Sequence, residues 1–138
     1  MSCKNILYKW AKFLNYKEFE KLKNLYHPKS VLIPTFNTNF LCSENTKYHY
    51  FKNLDPKTHV RFKDINEVII ENNTILFGNY TFSLSESIMY AQFNFIFNKN
   101  LIISHTSKKI STKLYKDELN EYNLYNKSRP SLDILGNH

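Results

Sequence analysis

The sequence predicts one α+β domain, in which helices come first and a curved antiparallel sheet follows. Near the start of the chain, apolar residues recur at the spacing of a helix. From residue 58 onward they alternate with polar residues, in runs separated by turn-forming residues. The first spacing is typical of an amphipathic helix and the second of a strand. Helices followed by consecutive strands favour an α+β plan in which the sheet wraps around the helices.

The N-terminal segment reads as a pair of helices. One is predicted to run to about Leu14 and the other over Tyr16–Tyr26, with Asn15 and Glu18 spaced as in a capping box. Pro28 should stop the second helix, because the residue before a proline avoids helical geometry. The apolar positions that define these faces are Ile6, Trp10, Phe13 and Leu14, and then Phe19, Leu22, Leu25 and Tyr26.

A short apolar run and a third helix come next. The run Val31–Phe36 contains Pro34, which has no N–H for a sheet, so it predicts an edge strand or one that breaks at the proline. Residues 37–42 read as a loop. Ser43 can cap a helix that stops before Asp55 and Pro56. That helix carries Tyr48, Tyr50, Phe51 and Leu54.

Four long antiparallel strands are predicted after this helix. They are joined by turns at residues 71–73, 85–87 and 98–100, where Asn, Ser, Glu and Lys cluster. Beyond Lys108 the pattern weakens, so residues 1–110 are predicted as the domain and 111–138 as an extension, with a short helix over Leu114–Tyr125 and a mobile end over Asn126–His138. The strands are Thr58–Ile70, Thr74–Ser85, Ile88–Phe97 and Leu101–Ser107.

The third of these strands has the clearest pattern. One of its faces is wholly apolar, and the other alternates between apolar and polar side chains. A half-polar second face suits a sheet that lines a pocket better than a sheet that simply faces solvent. The apolar face consists of Met89, Ala91, Phe93, Phe95 and Phe97.

Composition excludes several classes of protein. With 138 residues the chain fits a single domain, and 42% hydrophobic residues exclude a disordered one. Two glycines are too few for a phosphate-binding loop or a dinucleotide fingerprint. Cys3 and Cys42 form neither a disulfide framework nor a thiolate metal site, which suits a reducing compartment. No signal peptide or membrane span is recognisable, so we expect a soluble cytoplasmic protein without a membrane partner.

The net charge of +7 raises the question of nucleic-acid binding. Residues 1–30 carry seven lysines and two acids, residues 31–107 carry six charges of each sign, and residues 108–138 carry six bases and four acids. The excess therefore lies on the helical N-terminus and not on the sheet. A solvated helix face explains it better than a nucleic-acid footprint, which remains a third and weaker hypothesis.

Chemistry-bearing side chains cluster on the last predicted strand. The five histidines are scattered without metal-ligand spacing, so neither a metal nor another cofactor is predicted. In the run Ser104-His105-Thr106-Ser107, alternation places His105 and Ser107 on one face and the other two on the opposite face. His105 could hold a water or shuttle a proton near neutral pH. The alternative is a structural histidine at a strand end, with its hydroxyl neighbours bonded to the backbone.

Several short motifs resemble, in the same order, the association domain of calcium/calmodulin-dependent kinase II and its free-standing bacterial and algal relatives. That family has the cone-shaped nuclear-transport-factor-like (SnoaL-like) fold. The branch that this sequence is most similar to contains the iota-class carbonic anhydrases, and the resemblance covers residues 10–110. The motifs are WAKF, LYHPKSVLIPTF, YHYF, GNYTFSL, YAQFNFIF and IISHTS.

The resemblance implies a catalytic site of hydroxyl groups without a metal. By motif position, Thr35, Tyr50 and Ser107 would orient water for attack on CO2, and His105 matches a histidine of the closing motif. Further pocket residues would be Tyr80, Phe82, Phe93 and Thr106. The small hydratase would then be a lyase, with an uncharged substrate held between apolar walls.

This chain departs from the pattern of that branch at several positions. Ser104 replaces a histidine, Thr106 a serine and Gln92 an arginine, and the proline that usually follows the closing motif is absent. The alternative function is therefore a non-catalytic module for assembly or ligand binding. Under either hypothesis the resemblance implies self-association through the open face of the sheet, as a homodimer or a larger ring.

Overall fold

In the computed structural model, residues 2–36 and 39–116 are described. Five strands form one sheet in the order β1-β5-β4-β3-β2. The strands β2 to β5 form an antiparallel meander, and β1 lies parallel to β5 at one end of the strand order. The architecture confirms the α+β class and the predicted antiparallel strands. The elements are α1 (Cys3–Asn15), α2 (Phe19–Lys23), β1 (Tyr26–Ile33), α3 (Glu44–Lys52), β2 (His59–Ile70), β3 (Asn73–Ser83), β4 (Ser87–Asn98) and β5 (Leu101–Leu114).

Polar side chains fix where two of the helices begin. The hydroxyl of Ser2 accepts a hydrogen bond from the backbone N–H of Asn5 at 3.2 Å and so caps α1. Ser43 does the same for α3 by accepting from the N–H of Thr46 at 3.1 Å, which confirms the predicted cap. With its start fixed, α1 buries one stripe against the sheet, formed by Ile6, Leu7, Trp10 and Leu14.

The core lies between the helices and the inner face of the sheet. The alternating apolar positions of β4 are all buried, as their spacing predicts. Trp10 packs among them, with its ring 5.3 Å from Phe95 and 5.9 Å from Tyr80 between centroids. Because aromatic rings occupy most of this interior, the space left for a ligand is small.

The second helix is shorter than predicted, and the first strand starts earlier. Helix α2 ends at Lys23, and Tyr26 already belongs to β1, which continues through Pro28. The pairing of β1 with β5 is irregular between Tyr26 and Val31, so no regular ladder bond is required of the proline nitrogen. The strand stops at Ile33, directly before Pro34, and lies at the sheet edge as predicted.

The predicted capping box at the start of α2 is wrong. The side chain of Asn15 instead accepts from the backbone N–H of Val60 at 2.7 Å and donates to its C=O at 3.0 Å. Glu18 occupies the cap position without a capping hydrogen bond from its side chain, which instead accepts from Lys21 at 2.9 Å. Asn15 therefore attaches the end of α1 to the start of β2, a long-range contact that sequence spacing does not reveal.

The last strand is longer than predicted. It runs to Leu114, which pairs with Ser87, instead of ending at Ser107. The predicted helix at Leu114–Tyr125 therefore begins with a strand residue; residues 115 and 116 are helical, and residues 117–138, including the predicted mobile end, lie outside the described part of the chain. Across the described ranges, every helix is too short or too polar to cross a membrane.

The outer face of the sheet is not covered by the helices. It carries amide side chains together with apolar ones, of which Phe77 is 38% and Ile33 40% exposed. A shallow groove of about 680 Å³ crosses this face. The side chains around it include Asn66, Asn79, Gln92, Asn94, Thr106 and Lys108.

Candidate functional site

Three hydroxyl groups converge where β1, β3 and β5 meet the core. The parallel register of β1 and β5 pairs Ile33 with Thr106, so the residues that follow on the two segments, including Thr35 and Ser107, lie close together. The hydroxyls of Thr35 and Ser107 are hydrogen-bonded to each other. Tyr80, on the inner face of β3, donates to the Ser107 oxygen at 2.5 Å. Residues far apart in sequence thus form one hydroxyl cluster, which we define as Thr35, Tyr80 and Ser107.

A buried histidine, His105, contacts Tyr80 of this cluster from within the core. The Nε2 atom of His105 is 3.2 Å from the Tyr80 oxygen, and its Nδ1 atom is 2.8 Å from the hydroxyl of Tyr26. The Tyr26 oxygen in turn accepts from the indole N–H of Trp10 at 2.9 Å. The His105 ring also stacks on Phe95, with 3.7 Å between centroids. His105 is therefore held by tyrosine side chains in the core and is not a histidine at a solvated strand end.

Burial keeps the groups of this site uncharged. It lowers the pKa of His105 to about 3, so the imidazole is neutral at physiological pH. It also raises the pKa of Tyr80, although hydrogen bonds with Ser107 and Thr35 partly oppose the shift. The pKa values of Tyr26 and Tyr50 are raised for the same main reason. The expected proton shuttle near neutral pH does not fit a histidine with such a low pKa.

A small cavity lies next to the hydroxyl cluster. Its volume is about 10 Å³, which is room for one water molecule. Thr35, Tyr80 and His105 form its polar part, and the described residues that line it carry no charge at neutral pH. Its other walls are Trp10, Leu14, Leu32, Pro34, Phe36, Tyr50, Phe51, Leu54 and Phe82.

Only a thin layer of side chains separates the cavity from solvent. An open surface groove of about 460 Å³ lies on the other side of Phe36, Tyr50 and Leu54, which line both spaces. The Tyr50 hydroxyl accepts from the backbone N–H of Phe36 at 3.3 Å. Tyr50 therefore stands at the boundary between cavity and surface.

The structure brings most of the sequence-predicted site residues together. Thr35, Ser107, His105 and Tyr80 are connected by hydrogen bonds, as described above. Tyr50 and Phe82 line the cavity together with Thr35, Tyr80 and His105, whereas Ser107 is not among the residues that line it. Phe93 instead packs behind Tyr80, with 4.8 Å between ring centroids.

Thr106 does not belong to this pocket. It lines the groove on the outer face, because neighbouring residues of a strand point to opposite sides of the sheet. Sequence reasoning also missed Tyr26 and the polar role of Trp10. Their inward positions could be predicted from spacing, but their hydrogen bonds depend on tertiary structure.

A metal site is not evident in the described part of the chain. No group of three or more His, Cys, Asp or Glu side chains lies close enough there to hold a metal ion.

Comparisons with known proteins identify the fold. No protein-family model and no curated protein matches the sequence. Among solved structures, a candidate calcium/calmodulin dependent protein kinase II association domain from Xanthomonas campestris is similar, with a TM-score of 0.70 and 24% identity over 75% of this chain and 82% of that one.

Two structures named as enzymes are also similar. The epoxide hydrolase/cyclase-like enzyme SalBIII, from pyran ring formation in salinomycin, has a TM-score of 0.71 and 8% identity, over 82% of this chain and 95% of that one. A candidate scytalone dehydratase from Novosphingobium aromaticivorans has a TM-score of 0.65 and 10% identity, over 81% and 84%. At these identities the likeness concerns the fold. The chain therefore has the nuclear-transport-factor-like (SnoaL-like) fold that association domains share with small enzymes.

Proposed function

We propose that the protein is a small, metal-independent hydratase, and that it converts CO2 and water to bicarbonate in the manner of the iota-class carbonic anhydrases. The observation that carries the proposal is the hydroxyl cluster of Thr35, Tyr80 and Ser107, which adjoins a cavity of the size of one water. Fold neighbours named for hydrolysis and dehydration support an enzyme of this kind.

The size and polarity of the cavity favour a small, uncharged substrate. A substrate with several rings would require removal of the aromatic core around Trp10, Phe82 and Tyr80. A charged substrate would lose its hydration without gaining a counter-ion among the described residues that line the cavity. CO2 is small and neutral, and it needs only a limited displacement of the cavity walls.

Access to the cavity would use the layer formed by Phe36, Tyr50 and Leu54. This layer separates the interior from the surface groove, and rotation of its side chains would join the two spaces. The bond between Tyr50 and the Phe36 backbone would have to break during such a movement. Tyr50 would therefore act as a gate, in addition to the water-orienting role that the family resemblance gives it.

The reaction can proceed by proton relay through a hydroxyl. The water oxygen forms a bond to the carbon of CO2 while one of its O–H bonds breaks, and that proton passes to the oxygen of Thr35. The same hydroxyl gives its own proton to a CO2 oxygen, so the first product is carbonic acid. Carbonic acid then loses a proton to solvent to give bicarbonate. Positioning and fixed dipoles, and not a change of charge on the protein, would lower the barrier.

The proposal is tested by stopped-flow measurement of CO2 hydration on the pure, folded protein, with and without a chelator. We expect hydration above the uncatalysed rate that the chelator does not reduce. Thr35→Ala is expected to lower kcat/KM by about 10²–10³-fold, as is typical when one donor to a developing charge is removed. Hydration at the uncatalysed rate in a sample shown to be folded would contradict the proposal.

The second candidate function is a non-catalytic module for self-association. The specific observation in its favour is the uncovered outer face of the sheet, where Phe77, Ile33 and Ile110 are exposed beside amide side chains. Apolar sheet surface of this kind usually contacts a partner. The similarity in fold to an association domain supports the same idea. Self-association and hydration are compatible, because they use opposite faces of the sheet.

A further inference from the structure

The buried hydrogen bonds behind the hydroxyl cluster begin at a group that can only donate. The indole N–H of Trp10 is a donor without acceptor capacity, and it points at the Tyr26 oxygen at 2.9 Å. Tyr26 has a single proton of its own. Among the described residues, the other partner of the Tyr26 hydroxyl is the Nδ1 atom of His105, at 2.8 Å. If Tyr26 donates that proton to Nδ1, both contacts are satisfied and the proton has an acceptor.

The donor and acceptor roles of the following residues are then fixed one after another. A neutral imidazole carries one proton, so an accepting Nδ1 leaves the proton on Nε2, which lies 3.2 Å from the Tyr80 oxygen. Tyr80 accepts it and donates to Ser107 at 2.5 Å. Among the described residues, the other partner of the Ser107 hydroxyl is Thr35, so the proton of Ser107 is donated to Thr35. In the opposite tautomer, the buried Tyr26 proton would face a second N–H and lose its acceptor.

We infer that this chain of hydrogen bonds is polarised from Trp10 to Thr35, that His105 is held as the Nε2–H tautomer, and that Trp10 and Tyr26 are positioning residues for the hydroxyl cluster. Tyr26 and His105 are only 4% and 3% exposed. Water therefore has little access to these hydrogen bonds and does not reverse their donor and acceptor roles. Trp10 is 1% exposed.

The polarity limits what the cluster can bind and do. Because Nε2 is already protonated, His105 cannot accept a proton from the cavity side. His105 therefore cannot act as a general base for the hydroxyl cluster. It ends instead on the O–H of Thr35, beside the cavity. The ligand class that this end would take is a small, uncharged molecule presenting an oxygen acceptor, such as CO2 or carbonic acid. That statement about the ligand rests on the proposed hydratase function, whereas the tautomer does not.

The tautomer is measured directly by NMR of protein labelled with ¹⁵N in its histidines, at neutral pH and without substrate. We expect the Nε2 atom of His105 to resonate as a protonated nitrogen and its Nδ1 atom as an unprotonated one that accepts a hydrogen bond. A proton on Nδ1, or on both nitrogens, would overturn the inference. Because the unsubstituted protein is used and no turnover is needed, failure of this test differs from failure of the proposed function.

Two substitutions test the role of Tyr26. Tyr26→Phe removes the donor to Nδ1, so the Nδ1 resonance should move toward that of a nitrogen without a partner. Tyr8→Phe removes the same group from Tyr8, which lies on α1 and is 55% exposed, and should leave the His105 resonances unchanged. An unchanged Nδ1 resonance in folded Tyr26→Phe would contradict the inference. If Tyr26→Phe does not fold, the tautomer of the unsubstituted protein still decides the matter.

Discussion

His105 shows how one residue can be polar, buried and uncharged at the same time. Its imidazole is hydrogen-bonded to tyrosine hydroxyls through both nitrogens, and its ring stacks on Phe95. Its polar atoms therefore have partners in the core, and its ring face is packed against an apolar side chain. A charged imidazole would carry a proton on both nitrogens, so Nδ1 could no longer accept from Tyr26, and the charge would be buried without hydration. The residue is therefore a neutral connector between Tyr26 and Tyr80.

The neutrality of His105 makes the stability of the fold depend on pH. In the folded protein the pKa of His105 is about 3, whereas an unfolded chain binds the proton near pH 6.5. Its contribution to stability is therefore fully present above pH 6.5 and is lost as the pH falls from there toward 3. We expect the free energy of unfolding to drop by about 2 kcal/mol between pH 7 and pH 5.

Urea unfolding at the two pH values measures this change, with His105→Asn and the exposed His59→Asn as a matched pair. The drop should persist in His59→Asn and disappear in His105→Asn. The carboxyl of Asp55 also has a lowered pKa, mainly through its bond from the Lys57 N–H, but it titrates below this range. An equal drop in both variants would show that His105 is not the group responsible.

At the scale of elements, the regular parts of the fold follow from sequence spacing. The four meander strands, their turns, the Ser43 cap and the break before Pro34 are each explained by a few neighbouring residues. The parallel contact between β1 and β5, which creates the hydroxyl cluster, depends on a crossover through α3 and the β2–β4 strands. No local pattern reports such a contact, so only the family resemblance could place Thr35 beside Ser107.

Lys47 is a second feature that local patterns could not predict. It lies on α3 with 0% of its surface exposed, although lysine is normally a surface residue. Its ammonium group donates to the backbone C=O of Cys42 at 3.2 Å and to that of Pro28 at 3.5 Å. Burial lowers the pKa of Lys47. The bond to Pro28 attaches α3 to β1, and it exists only after both elements have packed.

The bulge in β2 explains one of the two glycines. The pairing of β2 with β3 is irregular between Phe62 and Asp64, and the Asp64 side chain accepts from the N–H of Asn79 at 2.6 Å. A Cβ atom at Gly78 would lie 2.3 Å from the backbone oxygen of Asp64. Because that oxygen belongs to the sheet backbone, the clash cannot be relieved by turning a side chain.

We therefore expect Gly78→Ala to destabilise the fold by about 1–3 kcal/mol, the usual range for an overpacked site. Thr81→Ala, on the outer face of the same strand, is the control and should change stability by much less. Urea unfolding followed by circular dichroism gives both values. Equal stability of Gly78→Ala and the unsubstituted protein would mean that the close approach of β2 and β3 is wrong.

At the scale of the whole molecule, the two faces of the sheet have different chemistry. The inner face holds the aromatic core and the hydroxyl cluster, and the outer face carries exposed apolar and amide groups. We propose that the outer face joins copies of this chain as a homodimer or larger ring. Phe77, near the middle of this face and paired with Asn66 and Asn94, would be central to such a contact.

Phe77→Lys is expected to convert the oligomer to monomers, because a buried lysine without a partner opposes association. Phe40→Lys, which places the same charge on a 64%-exposed residue outside the sheet, is expected to leave the oligomer intact. Light scattering coupled to size-exclusion chromatography measures both. A monomeric unsubstituted protein would exclude the outer face as a self-association surface under those conditions.

The central claim is that the hydroxyl cluster on the inner face carries out hydration, and β5 offers a matched test of it. Ser107→Ala removes a hydroxyl of the cluster, whereas Ser104→Ala removes the same group from a position whose side chain points away from the core. The most direct measurement is stopped-flow CO2 hydration by these two variants in the presence of a chelator. The account predicts a loss of about 10²–10³-fold in kcat/KM for Ser107→Ala and little change for Ser104→Ala. Equal rates for the two folded variants would contradict it.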